Sequence, residues 1–295
     1  MSATAADRHG LRALRAFGLP DATVTPIAAG TVNEHWWIDV PGRRFVMRRY
    51  STGRLAGGIP FEHEVLARLD AAAWPVAPPH LAPDGTSLVK VGGHYHALFP
   101  CLPGERLDDP ARHGAVLARL HQVTATFSMV SRTSWPRLAD YARRPFPELV
   151  LAWAAVDPDG AAKVVRAHGL VAADLGRPRA PLPTLVVHGD FHTGNLLFVD
   201  GQLSGILDFD FARPDWRVAD VAIALGFLPP GAGREAFLAA YQAEVPLSPD
   251  ERSVLPALVR AREIERLTFS LRRWRQGIDR ADDAVRRDVA LLTSG

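Results

Sequence analysis

The sequence predicts an α+β fold in which a small antiparallel sheet with one helix precedes a larger, mainly helical region. Short apolar runs separated by turn residues occupy positions 24 to 99. Most of the remaining sequence has helical periodicity, and one hairpin signal interrupts it near residue 200. With 295 residues, 47% of them hydrophobic, the chain is long enough to form two domains.

The first region is predicted from its apolar runs and its glycine and proline breaks. In order, its elements are a helix over 7–17, strands over 24–28, 35–40 and 45–50, a helix over 61–69, and strands over 87–91 and 94–99. The segment from Phe99 to Gly104 contains two prolines and ends this pattern. We therefore expect a hinge at 100–104 that joins a domain over 1–99 to one over 105–295.

The second region is predicted to be helical apart from one strand and one hairpin. Its helices are expected over 114–122, 216–225, 235–243 and 256–275, and the short apolar run 184–187 is expected to be a buried strand.

One polar motif follows that strand. Asp190 stands five residues before Asn195, and Asp208 follows the apolar pair Ile206-Leu207. This is the spacing at which protein kinases carry a base aspartate, a metal-binding asparagine and a second metal-binding aspartate. The motif therefore predicts phosphoryl transfer with Mg²⁺, in which Asp190 is the base and Asn195 and Asp208 hold the metal. We expect His188 to hold the loop by a hydrogen bond and Asp220 to anchor it from below.

The geometry of this motif can be predicted from the turn inside it. Asp200-Gly201 lies between two apolar runs, which is a strong hairpin signal. If Val199 faces Gln202 and pairing continues outward, Asn195 falls opposite Ile206. Both metal ligands then meet at the open end of one hairpin.

The first region carries the remaining kinase elements. Arg48 lies in the strand over 45–50, at the position where the kinase pattern has lysine, and Glu62 lies on the apolar stripe of the next helix. An inward carboxylate needs a cation, so we expect Arg48 and Glu62 to pair. The bend that holds Gly30, Thr31 and Asn33 is expected to approach nucleotide phosphates. Backbone groups at the hinge, around Phe99, Cys101 and Leu102, are expected to bind the base of the nucleotide.

Composition excludes several classes of function. The only lysines are Lys90 and Lys163, and neither follows a glycine as a Walker P-loop requires. A net charge of +2 without a dense basic block gives no reason to expect nucleic-acid binding. The single Cys101 excludes a disulfide framework. No apolar run is long enough to span a membrane and no signal peptide is visible, so we expect a cytoplasmic protein, monomeric or homodimeric.

Together these residues resemble the aminoglycoside phosphotransferase superfamily, which includes choline kinases and type II homoserine kinases. The resemblance extends from the bend at Gly30 and Asn33 to Asp220. It implies a bilobal protein-kinase-like fold, ATP or GTP as co-substrate, Mg²⁺, and a small hydroxylated acceptor on the helical lobe. It assigns Asp190 as the base and Asn195 and Asp208 as the metal ligands. Arg48 departs from the usual lysine.

The acceptor is not determined by any motif. From residue 251 to the end there are ten arginines against seven carboxylates, which favours a neutral or carboxylate-bearing acceptor, such as an amino alcohol or hydroxy amino acid, over a polycationic aminoglycoside. Two alternatives remain at this point: a kinase-fold regulatory protein that binds nucleotide without turnover, and an iron oxygenase with two histidines and one carboxylate that begins at His188 and Asp190. The participation of His192 and Asp210 stays open.

Overall fold

The computed structural model describes residues 5–28, 33–51, 58–131, 133, 135–143, 147–177, 180–277 and 281–293, with only the backbone of residues 5–9, 143 and 147. Within these ranges the helices are α1 (Ala5–Ala16), α2 (Ile59–Ala71), α3 (Pro110–Thr124), α4 (Leu138–Arg143), α5 (Pro147–Trp153), α6 (Pro158–Gly176), α7 (Arg217–Gly226), α8 (Ala232–Glu244), α9 (Pro249–Arg275) and α10 (Ala281–Thr293). The strands are β1 (Thr23–Ile27), β2 (Glu34–Val40), β3 (Arg43–Arg49), β4 (Val89–Val91), β5 (His94–Pro100), β6 (Thr184–Val187), β7 (Leu196–Val199), β8 (Gln202–Ile206) and β9 (Arg213–Trp216).

The first compact unit consists of Met1–Leu107, Ser128–Ser134 and Thr193–Asp210. It contains the small antiparallel sheet that the apolar runs predicted, and the strand order of this sheet is β1-β2-β3-β5-β4. Alternate residues of β2 and β3, such as Ile38, Phe45 and Met47, are buried and pack with Leu14 of α1 and with Phe17, which directly follows this helix. The sheet therefore has a core of its own, and its central strand β3 carries Arg48.

The β7–β8 hairpin belongs to this first unit, whereas the sequence placed residues 193–210 with the C-terminal lobe. The backbones of Glu105 and Phe198 exchange hydrogen bonds of 2.9 and 2.8 Å, and the Ile206 amide donates to the Pro75 carbonyl at 2.8 Å. These bonds fix the hairpin to segments that precede it by about a hundred residues or more. The boundary expected at 100–104 stays a prediction.

The predicted register of the hairpin is wrong by one residue at its open end. Asp200 and Gly201 have φ angles of 50° and 74°, as a two-residue type I′ turn requires, and Val199 pairs with Gln202. A bulge follows, because Leu197 pairs with Gly205 rather than with Ser204. The extra residue is Ser204, whose hydroxyl donates to the Pro103 carbonyl at 2.7 Å. The shift moves Asn195 from the position opposite Ile206 to the neighbourhood of Leu207.

The second compact unit consists of Asp108–Phe127, Trp135–His192 and Phe211–Gly295, and it is mainly helical as predicted. Its longest helix, α9, begins at Pro249 and not at Pro256, because Ser248 and Glu251 form a capping box that starts the helix earlier. Pro256 lies inside the second turn. Strand β9 was not predicted, and it pairs with β6 to form a two-stranded antiparallel ladder.

These findings confirm the α+β character of the predicted fold, with an N-terminal antiparallel sheet, one following helix and a larger helical part. Within the described ranges, no helix has both the length and the apolar content needed to cross a membrane.

Candidate active site

Arg48 is the centre of the polar site in the first unit. Its Nη1 donates to Glu62 Oε1 at 2.7 Å, its Nη2 to Asp208 Oδ1 at 3.2 Å, and its Nε to His35 Nε2 at 3.2 Å. Glu62 is 2% exposed and comes from the buried stripe of α2, so the predicted pair is confirmed. Burial alone lowers the pKa of Arg48, but the charges of Glu62 and Asp208 raise it above its ordinary value. Arg48 therefore stays charged.

The three partners explain why arginine occupies this position. Each guanidinium nitrogen contacts a different residue, and the guanidinium carbon lies 5.1 Å from the centre of the Phe99 ring. A lysine ammonium is a single point charge and cannot donate in three fixed directions from one plane. The arginine thus joins a helix carboxylate to a hairpin carboxylate.

We expect Arg48→Lys to keep the charge but lose one of the two carboxylate contacts. The KM for nucleotide should rise about 10-fold, and the free energy of unfolding should fall by about 1–3 kcal/mol, because Glu62 is buried and loses part of its pairing. Initial rates at varied nucleotide concentration and thermal unfolding would measure both. Lys90→Arg, on the edge strand β4 of the same sheet, is the matched control. Unchanged nucleotide KM in Arg48→Lys would contradict this account.

Asn195 and Asp208 lie together at the open end of the hairpin. The Leu207 amide donates to the Asn195 carbonyl at 2.8 Å, which places Asp208 one residue from a direct backbone contact with Asn195. Asp208 has a φ angle of 62°, in the left-handed region that few non-glycine residues adopt. Its side chain is 43% exposed, while Asn195 is buried. The bulge thus brings the two predicted metal ligands closer than the regular register would.

Asn33 is hydrogen-bonded to Asp210, a residue of the same unit to which the sequence assigned no role. Its Nδ2 donates to Asp210 Oδ2 at 2.9 Å, and its Oδ1 accepts from the Ser51 amide at 3.2 Å. Both Asn33 and Asp210 are buried. Asp210 therefore holds the end of the first bend. Gly30 and Thr31, the other residues of the bend predicted to contact phosphate, lie outside the described residues.

One of the backbone groups around Phe99, Cys101 and Leu102 that were predicted to bind the nucleotide base already has a partner in the sheet. The Cys101 amide donates to the Arg44 carbonyl at 3.0 Å, which continues the β3–β5 ladder, so this donor serves the sheet and not a ligand. Phe99 is buried and packs edge-on against His63 with ring centres 5.8 Å apart. Leu102 follows directly. The backbone carbonyl of Cys101 and the backbone of Leu102 are what this segment can offer to a nucleotide base.

In the second unit, a buried carboxylate holds the loop that carries Asp190. Asp220 of α7 accepts hydrogen bonds from the amides of His188 and Gly189 at 2.8 and 2.9 Å, which is the anchoring predicted for it. His188 Nδ1 accepts from the Asp190 amide at 3.2 Å, as expected of a structural histidine. His121 Nε2 lies 3.2 Å from Asp220. Burial raises the pKa of Asp220, but these partners hold it below its ordinary value.

The tight loop depends on Gly189. Its φ angle is 83°, and a Cβ at this position would lie 2.2 Å from the Phe211 carbonyl oxygen. No other residue type fits without displacing the backbone. Gly189 and the hydrogen bonds to Asp220 together fix the position of the backbone just before Asp190.

The prediction did not include the contact of Asp190 with an arginine of α9. Arg262 of α9 donates through Nη2 to Asp190 Oδ1 at 2.7 Å. His192 Nε2 lies 3.6 Å from Asp190 Oδ2, so this histidine borders the carboxylate. Burial raises the pKa of Asp190, but His192 and the charge of Arg262 outweigh it and hold the pKa below its usual range. The carboxylate is therefore ionised at neutral pH, as a proton acceptor must be.

A sequence model of the "Phosphotransferase enzyme family" matches residues 23–257. This range includes Arg48, Glu62, Asp190, Asn195 and Asp208, and it ends before Arg262. The chain belongs to the phosphotransferase enzyme family. This match confirms the resemblance inferred from the motifs. The phosphotransferase also aligns with proteins named homoserine kinase, from Xanthobacter autotrophicus (32% identity) and Azorhizobium caulinodans (30% identity), each over 84% of this chain and 79% of the relative.

Solved structures share the fold of this phosphotransferase. A microcompartment-associated aminopropanol kinase has a TM-score of 0.79 at 21% identity, covering 96% of this chain and 95% of its own. Amicoumacin kinase hAmiN, in complex with AMP-PNP, Ca²⁺ and Ami, has a TM-score of 0.70 at 17% identity, with coverage of 92% and 88%. These neighbours confirm the predicted protein-kinase-like fold. Because the family model and the homoserine kinase relatives both match this chain, it is a small-molecule O-phosphotransferase, and the alternative of a regulatory protein without turnover is set aside.

The residues of the phosphotransferase fit a magnesium ion. Asn195 and Asp208 supply an amide and a carboxylate oxygen, the hard donors that Mg²⁺ prefers, and a kinase site needs only one or two such side chains because the nucleotide phosphates complete the shell. The iron alternative requires two histidines and a carboxylate. Within the described ranges, no three histidine, cysteine, aspartate or glutamate side chains are arranged to hold a metal ion.

Proposed function

We propose that the chain transfers the γ-phosphate of ATP, with Mg²⁺, to the hydroxyl of a small amino alcohol or hydroxy amino acid. Arg48, held by Glu62, contacts the nucleotide phosphates. Asn195 and Asp208 hold Mg²⁺, and Asp190 takes the proton of the acceptor hydroxyl. His188 and Asp220 support Asp190, and the first bend with Gly30, Thr31 and Asn33 covers the phosphates.

The contact pattern of Arg48 is the observation that supports this proposal most strongly. A single guanidinium contacts the α2 carboxylate of Glu62 and the hairpin carboxylate of Asp208. Kinases combine the same three elements: a strand cation, its helix glutamate and a metal-binding aspartate. A carboxylate in the left-handed region beside a buried asparagine is also a costly arrangement, which proteins keep mainly where ligands bind.

The reaction needs positioning more than covalent chemistry by the protein. The acceptor oxygen forms a bond to the γ-phosphorus, the bond from that phosphorus to the β,γ-bridging oxygen breaks, and ADP leaves. Asp190 orients the hydroxyl and accepts its proton. When bound, Mg²⁺ neutralises the charge of the phosphate oxygens. Arg48 adds a second fixed positive charge for these oxygens.

The charge of the C-terminal region and the names of the relatives both bear on the acceptor class. From residue 251 to the end, ten arginines outnumber seven carboxylates, which favours an acceptor that carries a carboxylate over a polycationic aminoglycoside. The relatives at 30–32% identity are named homoserine kinases. Homoserine is therefore the first acceptor to test, followed by aminopropanol.

A panel of acceptors tests this assignment. We expect kcat/KM with Mg-ATP to be highest for homoserine or a similar hydroxy amino acid, lower for 1-amino-2-propanol, and at least about 100-fold lower for hygromycin B. Product formation is measured as the mass increase of one phosphate on each acceptor, and GTP is compared with ATP under the same conditions. Preferred phosphorylation of hygromycin B would overturn the proposed acceptor class.

A further inference from the structure

Arg262 contacts the Asp190 carboxylate, although the two residues are far apart in the sequence. It stands 72 residues after Asp190, on α9, and its Nη2 lies 2.7 Å from Asp190 Oδ1. The Arg262 side chain is 8% exposed and that of Asp190 is 18% exposed. The contact is therefore a short ion pair shielded from water, and it is not one of the exposed surface pairs that contribute little.

Arg262 is itself held in place by its neighbours in the second unit. Its Nη1 donates to Glu265 Oε2 at 2.6 Å, one helical turn further along α9. The Phe227 ring centre lies 5.3 Å from the Arg262 guanidinium. Glu265 is fully buried and lies 3.8 Å from Arg213 Nη1, and Arg213 Nε donates to Asp215 at 3.1 Å. Asp190 is thus the half-buried end of a chain of five alternating charges.

Stability alone does not account for this chain. Replacing buried ion pairs by apolar residues is often neutral or stabilising. Within the described ranges, Arg262 Nε, Arg213 Nη2 and Glu265 Oε1 are buried and make no hydrogen bond to another protein group, so holding these charges together also has a cost. What the network does provide is a fixed contact between Arg262 Nη2 and Asp190, the proposed proton acceptor.

We propose that Arg262 is the positioning residue of the catalytic base: it fixes the Asp190 carboxylate through Oδ1 and keeps it charged until it receives the acceptor proton. The inference rests on the proposed function, because it assigns a role relative to the Asp190 reaction. Arg262 itself acts through Asp190 and is not assigned a contact with the phosphates.

The charged groups around Asp190 determine how the reaction rate should depend on pH. His188 and His192 lie on its own loop, Asp220 of α7 contacts the same loop, and Arg262 and Glu265 approach from α9. Burial raises the pKa of Asp190, whereas His192 and Arg262 lower it, and the net result is a lowered pKa. A group with a lowered pKa is ionised above that value and inactive as a base below it. Without Arg262 the acid limb of the rate profile should therefore move to higher pH.

The test compares three variants of the full chain. We expect Arg262→Met to lower kcat about 100-fold, to leave the KM for ATP unchanged, and to move the acid limb of the kcat/KM profile to higher pH. Arg262→Lys keeps the charge, so its acid limb should stay close to that of the wild type while kcat falls. Arg266→Met removes another α9 arginine, which pairs with Asp288 at 3.3 Å, and should change neither property.

The double variant Arg262→Met/Glu265→Gln controls for a folding defect. Arg262→Met alone leaves the buried Glu265 carboxylate without its partner on α9, and the second substitution removes that unpaired charge. It should show the same shift of the acid limb as Arg262→Met. Wild-type kcat and an unshifted limb in Arg262→Met would overturn the role of Arg262. A wild type that transfers phosphate to none of the hydroxylated acceptors would instead overturn the proposed function, and the inference with it.

Discussion

Asp190→Ala is expected to lower kcat about 1,000-fold or more while the affinity for Mg-ATP stays nearly unchanged. The loss follows because a positioned base contributes about 10²–10⁴ to such a reaction, and the variant also loses the group that orients the acceptor. Nucleotide affinity should remain because Arg48, Asn195 and Asp208, which we assign to the nucleotide and metal, are unchanged. Single-turnover rates and calorimetric titration with a non-hydrolysable ATP analogue measure the two quantities.

Asp174→Ala is the matched control for this variant. Asp174 is also paired with an arginine, Arg177 at 2.9 Å, but both side chains are exposed on the end of α6. Its removal should change kcat and thermal stability little. If Asp190→Ala retained kcat within a few-fold of the wild type, the assignment of the base would be wrong.

Asp208→Asn is expected to have an effect of similar size through the metal. Asparagine tolerates the left-handed backbone at this position, so the fold should be kept while one charged ligand is lost. We expect kcat to fall about 1,000-fold and the Mg²⁺ concentration for half-maximal rate to rise about 10-fold or more, since a metal at transferring phosphates contributes several kcal/mol. Initial rates over a range of Mg²⁺ concentrations test this.

The control lies on the same hairpin. Asp200 is exposed, is also in the left-handed region with a φ angle of 50°, and stands at the turn, away from the open end. Asp200→Asn should leave both kcat and the Mg²⁺ dependence unchanged. A normal Mg²⁺ dependence in Asp208→Asn would show that Asp208 is not a metal ligand.

Local patterns in the sequence predicted much of the fold and part of the site. Glu62 could be assigned to Arg48 because a carboxylate on the apolar stripe of a helix must find a cation, and the preceding strand offers one. Asp200-Gly201 fixed the turn of the hairpin because only a few residue types adopt its backbone angles. Asp220 was expected to anchor the catalytic loop, and its two amide contacts are observed.

Features that depend on distant packing were not predicted. The bulge at Ser204 rests on a hydrogen bond to Pro103, about a hundred residues earlier. Strand β9 contains Pro214, and its two buried residues are the charged Arg213 and Asp215, so only its pairing with β6 identifies it. Arg262 was counted among the arginines of the C-terminal region, although it lies four residues after the buried Leu258 on α9. The inward-charge argument that found Glu62 would have singled it out.

The most direct test of the central claim follows the labelled γ-phosphate of ATP. Wild-type protein is incubated with Mg²⁺, γ-³²P-labelled ATP and homoserine, and the label is assigned to acceptor, water or protein. We predict label on the homoserine hydroxyl, in an amount equal to the ADP formed, and none with Asp190→Ala. Label released only as inorganic phosphate, or none released in the presence of any hydroxylated acceptor, would contradict the account.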